Sequence, residues 1–447
     1  MTSEAESIRA EEALLISRVW ARACSFSGSD FGRNAIWFTG LSAFERVFAV
    51  TQTVLIARAL GITEYGVYGL LFGTIGFVAS VVGLQMGLTA TVFVARYRAS
   101  EKAKAAAVIT MVHRFGFGIA AAFVALMSPF SATISGLLLG SAQYQIPVLL
   151  GTAFVGAAIV SGVQDGIAQG FEIFKTMAKL KTSVSLLVLV VIWPMTRYFG
   201  LVGVVSAILA GQALKYSILR AAIMRSRIEA EIPPVGVGVS FRSLVSGFAL
   251  PSMIVSLATG FVTWLGMFLL SRQPGGFKDV AIASTGFQWR GPLLLLASSV
   301  GTVAIPVFSR FAAQNNEQSS RHLRTNILLF NFIVSTLVAL SISLASTYIL
   351  GLYGSAFLEG RLAFCIILLS CVPAIMAQVY MQQLVGANRM WRQLIVHIPY
   401  FSVTIACLVF LIPDYRVLGY SLSLLVGAVV YLGCAFIADN LDKVSTR

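Results

Sequence analysis

The chain has 447 residues, of which 57% are hydrophobic and only 11% are charged. Soluble domains carry about 25% charged residues, so this composition excludes a soluble globular protein. Apolar runs of roughly 20 residues, each able to cross about 30 Å of hydrocarbon, recur along the whole sequence. These runs are continuous rather than alternating, which favours helices over a membrane β-barrel. We therefore predict an all-α, multi-pass membrane protein.

The formal net charge of +14 does not indicate a nucleic-acid partner, because the basic residues collect in alternate predicted loops. This is the distribution that the positive-inside rule describes for membrane proteins. It predicts that both termini, residues 1–34 and 439–447, lie in the cytoplasm. The five cysteines follow no metal-ligand spacing, and the chain has neither a Walker motif nor a GxSxG motif. We therefore expect no metal, no cofactor and no enzymatic activity.

The apolar runs predict about twelve transmembrane helices. Several of them are longer than the hydrocarbon requires, which implies tilt or extension beyond it. In chain order, the predicted spans are 35–57, 67–94, 107–127, 145–168, 177–196, 201–223, 243–270, 281–308, 325–349, 361–384, 392–412 and 416–437.

A polar segment at 225–242 divides the spans into two groups of six. Its Pro233 and Pro234 break helices, so it predicts a cytoplasmic linker between bundles at 35–224 and 243–438. The two bundles also repeat in sequence. The matching pairs are Gly170–Gly386, Gly203–Gly419 and Gly211–Gly427 at a spacing of 216 residues, and Arg58–Arg272 at a spacing of 214. We therefore predict two six-helix bundles, related by a pseudo-twofold axis along the membrane normal, around a central cavity.

Only two of the 18 acidic residues lie within predicted spans, where charge is costly. Glu45 lies about ten residues into the first span, and Asp165 lies towards the cytoplasmic end of the fourth. Two roles are open for Glu45: it binds a coupling ion, Na⁺ or a proton, or it neutralises a neighbouring basic residue. Ion coupling is also open for Asp165, beside simple hydration near the interface.

Three basic residues lie deep within spans of both halves, namely Arg46, Lys215 and Arg290. If their side chains face the central cavity, its lining is cationic. Guanidinium groups suit phosphate, which they bind through parallel hydrogen bonds. The implied cargo therefore carries phosphate or carboxylate groups. Since the chain has no nucleotide-binding motif, transport would depend on an ion gradient or on the gradient of the cargo itself.

Several segments resemble those of a known family. They are ALGITEYGVYGL (59–70), VAIPVFSRFAA (303–313), LYGSAF (352–357), GIAQGFEIFK (166–175) and VGANRMWRQ (385–393). The first two resemble the paired motifs that polysaccharide flippases carry in their two halves. The resemblance covers about residues 30–440. It identifies the chain as a member of the lipid-linked oligosaccharide flippases, in the multidrug/oligosaccharidyl-lipid/polysaccharide exporter superfamily.

This resemblance implies a flippase of the bacterial inner membrane that works by alternating access. The implied cargo is an undecaprenyl-diphosphate-linked repeat unit, moved to the outer leaflet for O-antigen or exopolysaccharide assembly. The implied partners are membrane lipid, a polysaccharide polymerase and a chain-length regulator. Related lipid II flippases use cavity arginines on their first and eighth helices, and Arg46, Arg58, Arg272 and Arg290 occupy comparable places here. The chain lacks the two extra helices of that group, which argues against a role in peptidoglycan synthesis.

Two other functions fit parts of the pattern. An ion-coupled multidrug exporter of the same fold usually carries cationic cargo and would have an acidic cavity, whereas here three or more bases accompany two acids. A polymerase of the same repeat unit would carry a long outer loop, whereas the predicted outer loops are short.

Overall fold

The computed structural model describes residues 30–83, 86–233, 249–313, 317–386 and 390–445. Every regular element in these ranges is a helix. The α-helices are α1 (Asp30–Leu60), α2 (Ile62–Val82), α3 (Met86–Tyr97), α4 (Lys102–Met127), α5 (Ser131–Leu139), α6 (Gln145–Gly170), α7 (Phe174–Glu229), α8 (Ala249–Ser271), α9 (Gly276–Ala313), α10 (Glu317–Leu344), α11 (Ser346–Tyr353), α12 (Arg361–Leu369), α13 (Cys371–Gly386) and α14 (Met390–Ser445). Short 3-10 helices occupy Ser128–Phe130, Ala142–Tyr144 and Ser355–Gly360.

The predicted all-α membrane fold is confirmed, and each predicted span overlaps at least one of these helices. By length and composition, seven helical segments of the described ranges can cross a membrane, and Ser256–Ser271 is a shorter apolar segment. Two of the seven contain α7 and α14, which are 56 residues long each and include two predicted spans apiece.

Both of these long helices reverse direction at one residue. The backbone leaves the helical conformation at Gly200 (φ 55°, ψ −138°) in α7 and at Arg416 (φ 54°, ψ −127°) in α14. These positions are 216 residues apart, the spacing at which the sequence repeats. A positive φ is open to glycine but strained for arginine, so contacts must hold Arg416. Its Nε donates a 2.8 Å hydrogen bond to Oδ2 of Asp279.

The two arms of each hairpin approach one another at matching residues. A Cβ at Gly203 would lie 2.0 Å from the backbone oxygen of Met195, and one at Gly419 would lie 2.2 Å from that of Leu411. Both members of each contact are again 216 residues apart. The two halves therefore end in helical hairpins of the same geometry, as a duplicated unit requires.

The halves pack tightly against each other where α2 crosses α9. A Cβ at Gly66 would lie 1.8 Å from the backbone oxygen of Phe277, and one at Gly69 would lie 2.2 Å from Oγ of Ser284. Small residues allow helices to approach this closely, and such packing is a main source of helix association in membranes. One buried hydrophobic cluster includes residues of both halves around the crossing.

The predicted linker begins inside a helix. Because α7 continues to Glu229, residues 225–229 extend the second arm of its hairpin. Residues 234–242 of the linker lie outside the described ranges, as do residues 1–29 of the N-terminal segment. The domain boundaries remain predictions.

We expect Gly66→Ala to destabilise the protein, because the added methyl group meets the Phe277 carbonyl and must push α2 away from α9. Overpacking of this kind costs about 1–3 kcal/mol. Gly76→Ala on the same helix is the matched control, since no atom lies within 4 Å of its Cβ position. Thermal unfolding in detergent should give a lower midpoint for the Gly66 variant only. Equal midpoints for the two variants would contradict the close crossing.

Candidate functional site

The side chain of Arg46 reaches from the first half to the second. Arg46 lies in the middle of α1, and its Nη1 atom is 3.4 Å from the position that a Cβ at Gly291 would occupy. Gly291 directly follows Arg290 in α9. The two deep arginines of the two halves are therefore neighbours where α1 passes α9. Neither of them forms an ion pair with another residue in the part of the chain that the structure describes.

The guanidinium group of Arg290 lies in an aromatic environment. Its central carbon is 4.8 Å from the ring centroid of Phe287, a cation–π distance. The Phe287 ring is in turn 6.5 Å from that of Tyr420. Nε of Arg290 and the hydroxyl of Tyr420 are buried, and neither has a hydrogen-bond partner among the described residues. Buried groups of this kind are costly, so this place favours water or a polar ligand.

Glu45 has no basic partner in the described structure. It is partly buried on α1, and adjacent residues of a helix point about 100° apart, so Glu45 does not face Arg46. It forms no ion pair with any described residue. The neighbour that a charge-balancing role needs is therefore absent from the described ranges. Both roles of Glu45 remain predictions.

Asp165 and Lys215 form an ion pair within the first half. Nζ of Lys215 lies 3.2 Å from Oδ2 of Asp165, and Nζ of Lys181 lies 3.5 Å from the same oxygen. These residues come from α6 and from both arms of the α7 hairpin. Asp165 is thus surrounded by two ammonium groups rather than only hydrated at the interface.

Arg58 and Arg272 lie at one end of the molecule and bind backbone carbonyls of the opposite half. Following the predicted orientation, we call this end, where α1 turns into α2 at Gly61, the outer end. Nε and Nη2 of Arg58 donate to the carbonyls of Leu352 (2.6 Å) and Gly351 (3.2 Å). Arg272 donates to the carbonyl of Leu137. The two contacts are reciprocal, and both guanidinium groups engage the backbone there.

Aromatic side chains seal the same end between the halves. The hydroxyl of Tyr353 lies 3.2 Å from Oγ1 of Thr53, and its ring contacts that of Tyr65 with centroids 6.1 Å apart. Tyr65 and Tyr353 are almost completely buried. Beside this contact lies a crevice of about 440 Å³ that is lined by Arg58, Gly61, Gly351, Gly354 and Ser355, among other residues. The outer end is therefore closed between the two halves.

Two charged contacts were missed by reasoning from the sequence alone. Lys181 was counted as part of a basic loop, although it lies in α7 and reaches Asp165. The buried Arg324 at the start of α10 pairs with Asp439 at the end of α14 and donates a 2.9 Å hydrogen bond to Oε1 of Gln383. A helical spacing of four residues from Lys181 to the apolar Ser185 stretch was the available signal for the first contact. No local signal pointed to the second, because its members are more than 100 residues apart.

Comparison with known proteins decides the family. The model of the family described as polysaccharide biosynthesis protein matches residues 31–312, more than half of the chain. The chain belongs to this family. The predicted resemblance is thereby confirmed.

Relatives and solved structures agree with this assignment. The EPS I polysaccharide export inner membrane protein EpsE of Ralstonia solanacearum is 20% identical over 382 residues, which cover 82% of this chain and 84% of EpsE. The inward-facing conformation of a multidrug resistance MATE family transporter of the MOP superfamily superposes with a TM-score of 0.76 at 16% identity, covering 90% of this chain and 96% of that one. The lipid II flippase MurJ in an inward closed conformation gives 0.73 at 15% identity, covering 91% and 87%. This member of the polysaccharide biosynthesis family thus has the MOP transporter fold.

We expect the double variant R58A/R272A to loosen the outer end, because it removes three hydrogen bonds that cross between the halves. Spin labels at the exposed positions Tyr198 and Tyr348, in a background without the native cysteines, would report the distance between the halves. The variant should show a longer and broader distance distribution than the parent. Arg361→Ala is the control, since Arg361 donates to Ser346 within its own half. The same distribution in all three proteins would show that these arginines do not hold the halves together.

Proposed function

We propose that the chain is a flippase for an undecaprenyl-diphosphate-linked oligosaccharide repeat unit. It would move this unit from the cytoplasmic to the outer leaflet of the bacterial inner membrane, for O-antigen or exopolysaccharide assembly. The family assignment and the transporter fold support a transporter rather than an enzyme. The printed function of EpsE, polysaccharide export at the inner membrane, supports the class of cargo.

The observation that carries this proposal is the meeting of Arg46 and Arg290 at the contact between α1 and α9. Two guanidinium groups without carboxylate partners are poorly suited to the cationic cargo of a multidrug exporter. They are well suited to a diphosphate, which offers several acceptor oxygens in the planar arrangement that guanidinium donors match. We assign them to the diphosphate of the cargo. The buried hydroxyl of Tyr420 is one further donor beside Arg290.

The lipid part of the cargo needs no polar site. The polyprenyl tail stays in the hydrocarbon while the diphosphate and glycan occupy the cavity between the halves. This division avoids the cost of moving a charged, hydrated head group through lipid. With the predicted orientation, the head group enters from the cytoplasm, since the outer end is closed.

Transport would follow from rocking of the two halves. The contacts at the outer end must then open, including those of Arg58 and Arg272 with the carbonyls of the opposite half. We therefore propose that these two arginines stabilise the closed outer end rather than bind cargo within the cavity. Released on the outer side, the unit would pass to a polymerase and its chain-length regulator. Coupling to Na⁺ or a proton would involve Glu45, which has no ion pair with a described residue.

We expect R46A and R290A each to reduce surface polysaccharide at least tenfold in a host strain that lacks the native gene. Loss of a hydrogen bond to a charged group costs about 1.5–3 kcal/mol, and two such bonds go with each guanidinium group. Lipid-linked repeat units should accumulate inside the cell, and they can be measured by mass spectrometry of extracted lipids. Membrane levels of each variant are measured in parallel.

The control for this experiment is Arg220→Ala. Arg220 is exposed in the second arm of α7 and donates to the hydroxyl of Tyr216, so its loss should leave export unchanged. Normal surface polysaccharide in both R46A and R290A, at normal membrane levels, would refute the proposed cargo site.

A further inference from the structure

One face of α6 carries three polar residues with unpaired buried atoms. Ser161, Gln164 and Asp165 follow the spacing i, i+3 and i+4, which places them on one side of the helix. Ser161 is 1% exposed and Gln164 is 0% exposed. Oγ of Ser161, both amide atoms of Gln164 and Oδ1 of Asp165 have no hydrogen-bond partner among the described residues. Native proteins pair nearly all such groups, so this face is suited to a polar group that does not come from the described chain.

Two ammonium groups complete the cluster. Lys181 and Lys215 both approach Oδ2 of Asp165, and the three side chains are 23%, 15% and 18% exposed. We call these five residues the Asp165 cluster. Two ammonium groups and one carboxylate leave a formal charge of +1, which opposes a bound cation and favours a second anion. Lys181, Lys215, the Ser161 hydroxyl and the Gln164 amide can all donate hydrogen bonds to that anion.

The second half shows that the fold does not need this polar cluster. The 216-residue spacing that relates Gly200 to Arg416 also relates the ends of α6 and α13, Gly170 and Gly386. The residues that correspond to Ser161, Gln164, Asp165, Lys181 and Lys215 are Ala377, Tyr380, Met381, His397 and Tyr431.

These counterparts pack as an ordinary core. All of them except His397 belong to one buried hydrophobic cluster, and the His397 ring lies 4.7 Å from that of Tyr431. The same backbone geometry is therefore closed by apolar and aromatic side chains in one half and by charged ones in the other. Charge inside a membrane helix is costly, so its presence in one half only points to function rather than to packing.

The Asp165 cluster lies at nearly the same depth as Arg46. Nε2 of Gln52 in α1 donates a 2.9 Å hydrogen bond to the carbonyl of Ser185 in α7, which fixes the relative height of the two helices. Arg46 is about 9 Å below Gln52 and Lys181 is about 6 Å below Ser185, at 1.5 Å per residue. The two cations are therefore separated by only about 3 Å along the helix direction. An anionic cargo held at Arg46 has the Asp165 cluster at its own level.

We propose that the Asp165 cluster is a second anion site for the cargo. It takes a phosphate or carboxylate group, and Asp165 holds the place of that group while the site is empty. On binding, the incoming anion displaces the Asp165 carboxylate from Lys181 and Lys215 and receives hydrogen bonds from Ser161 and Gln164. This inference rests on the proposed function for the identity of the cargo. The site itself is separate from the Arg46–Arg290 contact.

The test measures binding of undecaprenyl diphosphate, and of the glycan-bearing lipid extracted from the host, to purified protein in nanodiscs. The triple variant D165M/K181H/K215Y, which carries the residues of the second half, should fold and bind at least tenfold more weakly. D165N, which removes the competing carboxylate and keeps both lysines, should bind severalfold more tightly. K179M is the control, because Lys179 is exposed on the same helix and lies outside the cluster; its affinity should equal that of the parent.

The outcomes separate the possible sources of the anion. Weaker binding of undecaprenyl diphosphate by the triple variant assigns the site to a phosphate. Weaker binding of the glycan-bearing lipid alone assigns it to an acidic group of the glycan. Parent-like affinity of both D165N and the triple variant for both lipids overturns the proposal, and D165N decides alone if the triple variant does not fold. If R46A weakens binding and the cluster variants do not, only this inference fails; if the parent binds neither lipid, the proposed function fails with it.

Discussion

A charge inside a membrane needs a partner, water or a bound ligand, since an isolated charged side chain there costs several kcal/mol. The distribution of charge in this protein follows from that constraint. Arg58 and Arg272 donate to backbone carbonyls across the outer end, and the buried Arg324 pairs with Asp439. Arg46 and Arg290 differ, since neither has an acidic partner within the described ranges. This difference makes their meeting point the best-supported position for an anionic cargo.

The duplication of the chain places that meeting point between the halves. Each half ends in a hairpin that reverses at an equivalent residue, Gly200 or Arg416. The duplicated halves then meet through α2 and α9, whose backbones touch at Gly66. A cavity between two similar bundles receives side chains from both, and this is why one arginine comes from α1 and the other from α9. The halves have nevertheless diverged in chemistry, because the first carries charges where the second carries an aromatic core.

Much of the fold was predictable from the sequence, and less of the site. Apolar run length and loop charge predict helices and their order, because burial in lipid acts on each span separately. The recurrence of glycines at one spacing predicted the duplication, since close helix contacts allow no side chain at positions such as Gly203 and Gly419.

The contacts of individual charges depend on distant parts of the chain, and the sequence does not show them. A backbone carbonyl such as that of Leu352 leaves no sequence signal as the acceptor for Arg58, so Arg58 was placed in the cavity by analogy of helix number. Lys181 was assigned to a loop because a boundary prediction is accurate only to a few residues. Arg46 and Arg290 were predicted as cavity residues from depth alone; their proximity depends on how α1 packs against α9.

The most direct measurement is a structure of the protein in nanodiscs with undecaprenyl-diphosphate-linked glycan bound, determined by electron cryomicroscopy. The account predicts density for the diphosphate within hydrogen-bond distance of both Arg46 and Arg290, with the prenyl chain outside the bundle in lipid. A head group bound elsewhere, with Arg46 and Arg290 both in contact only with protein or water, would contradict it.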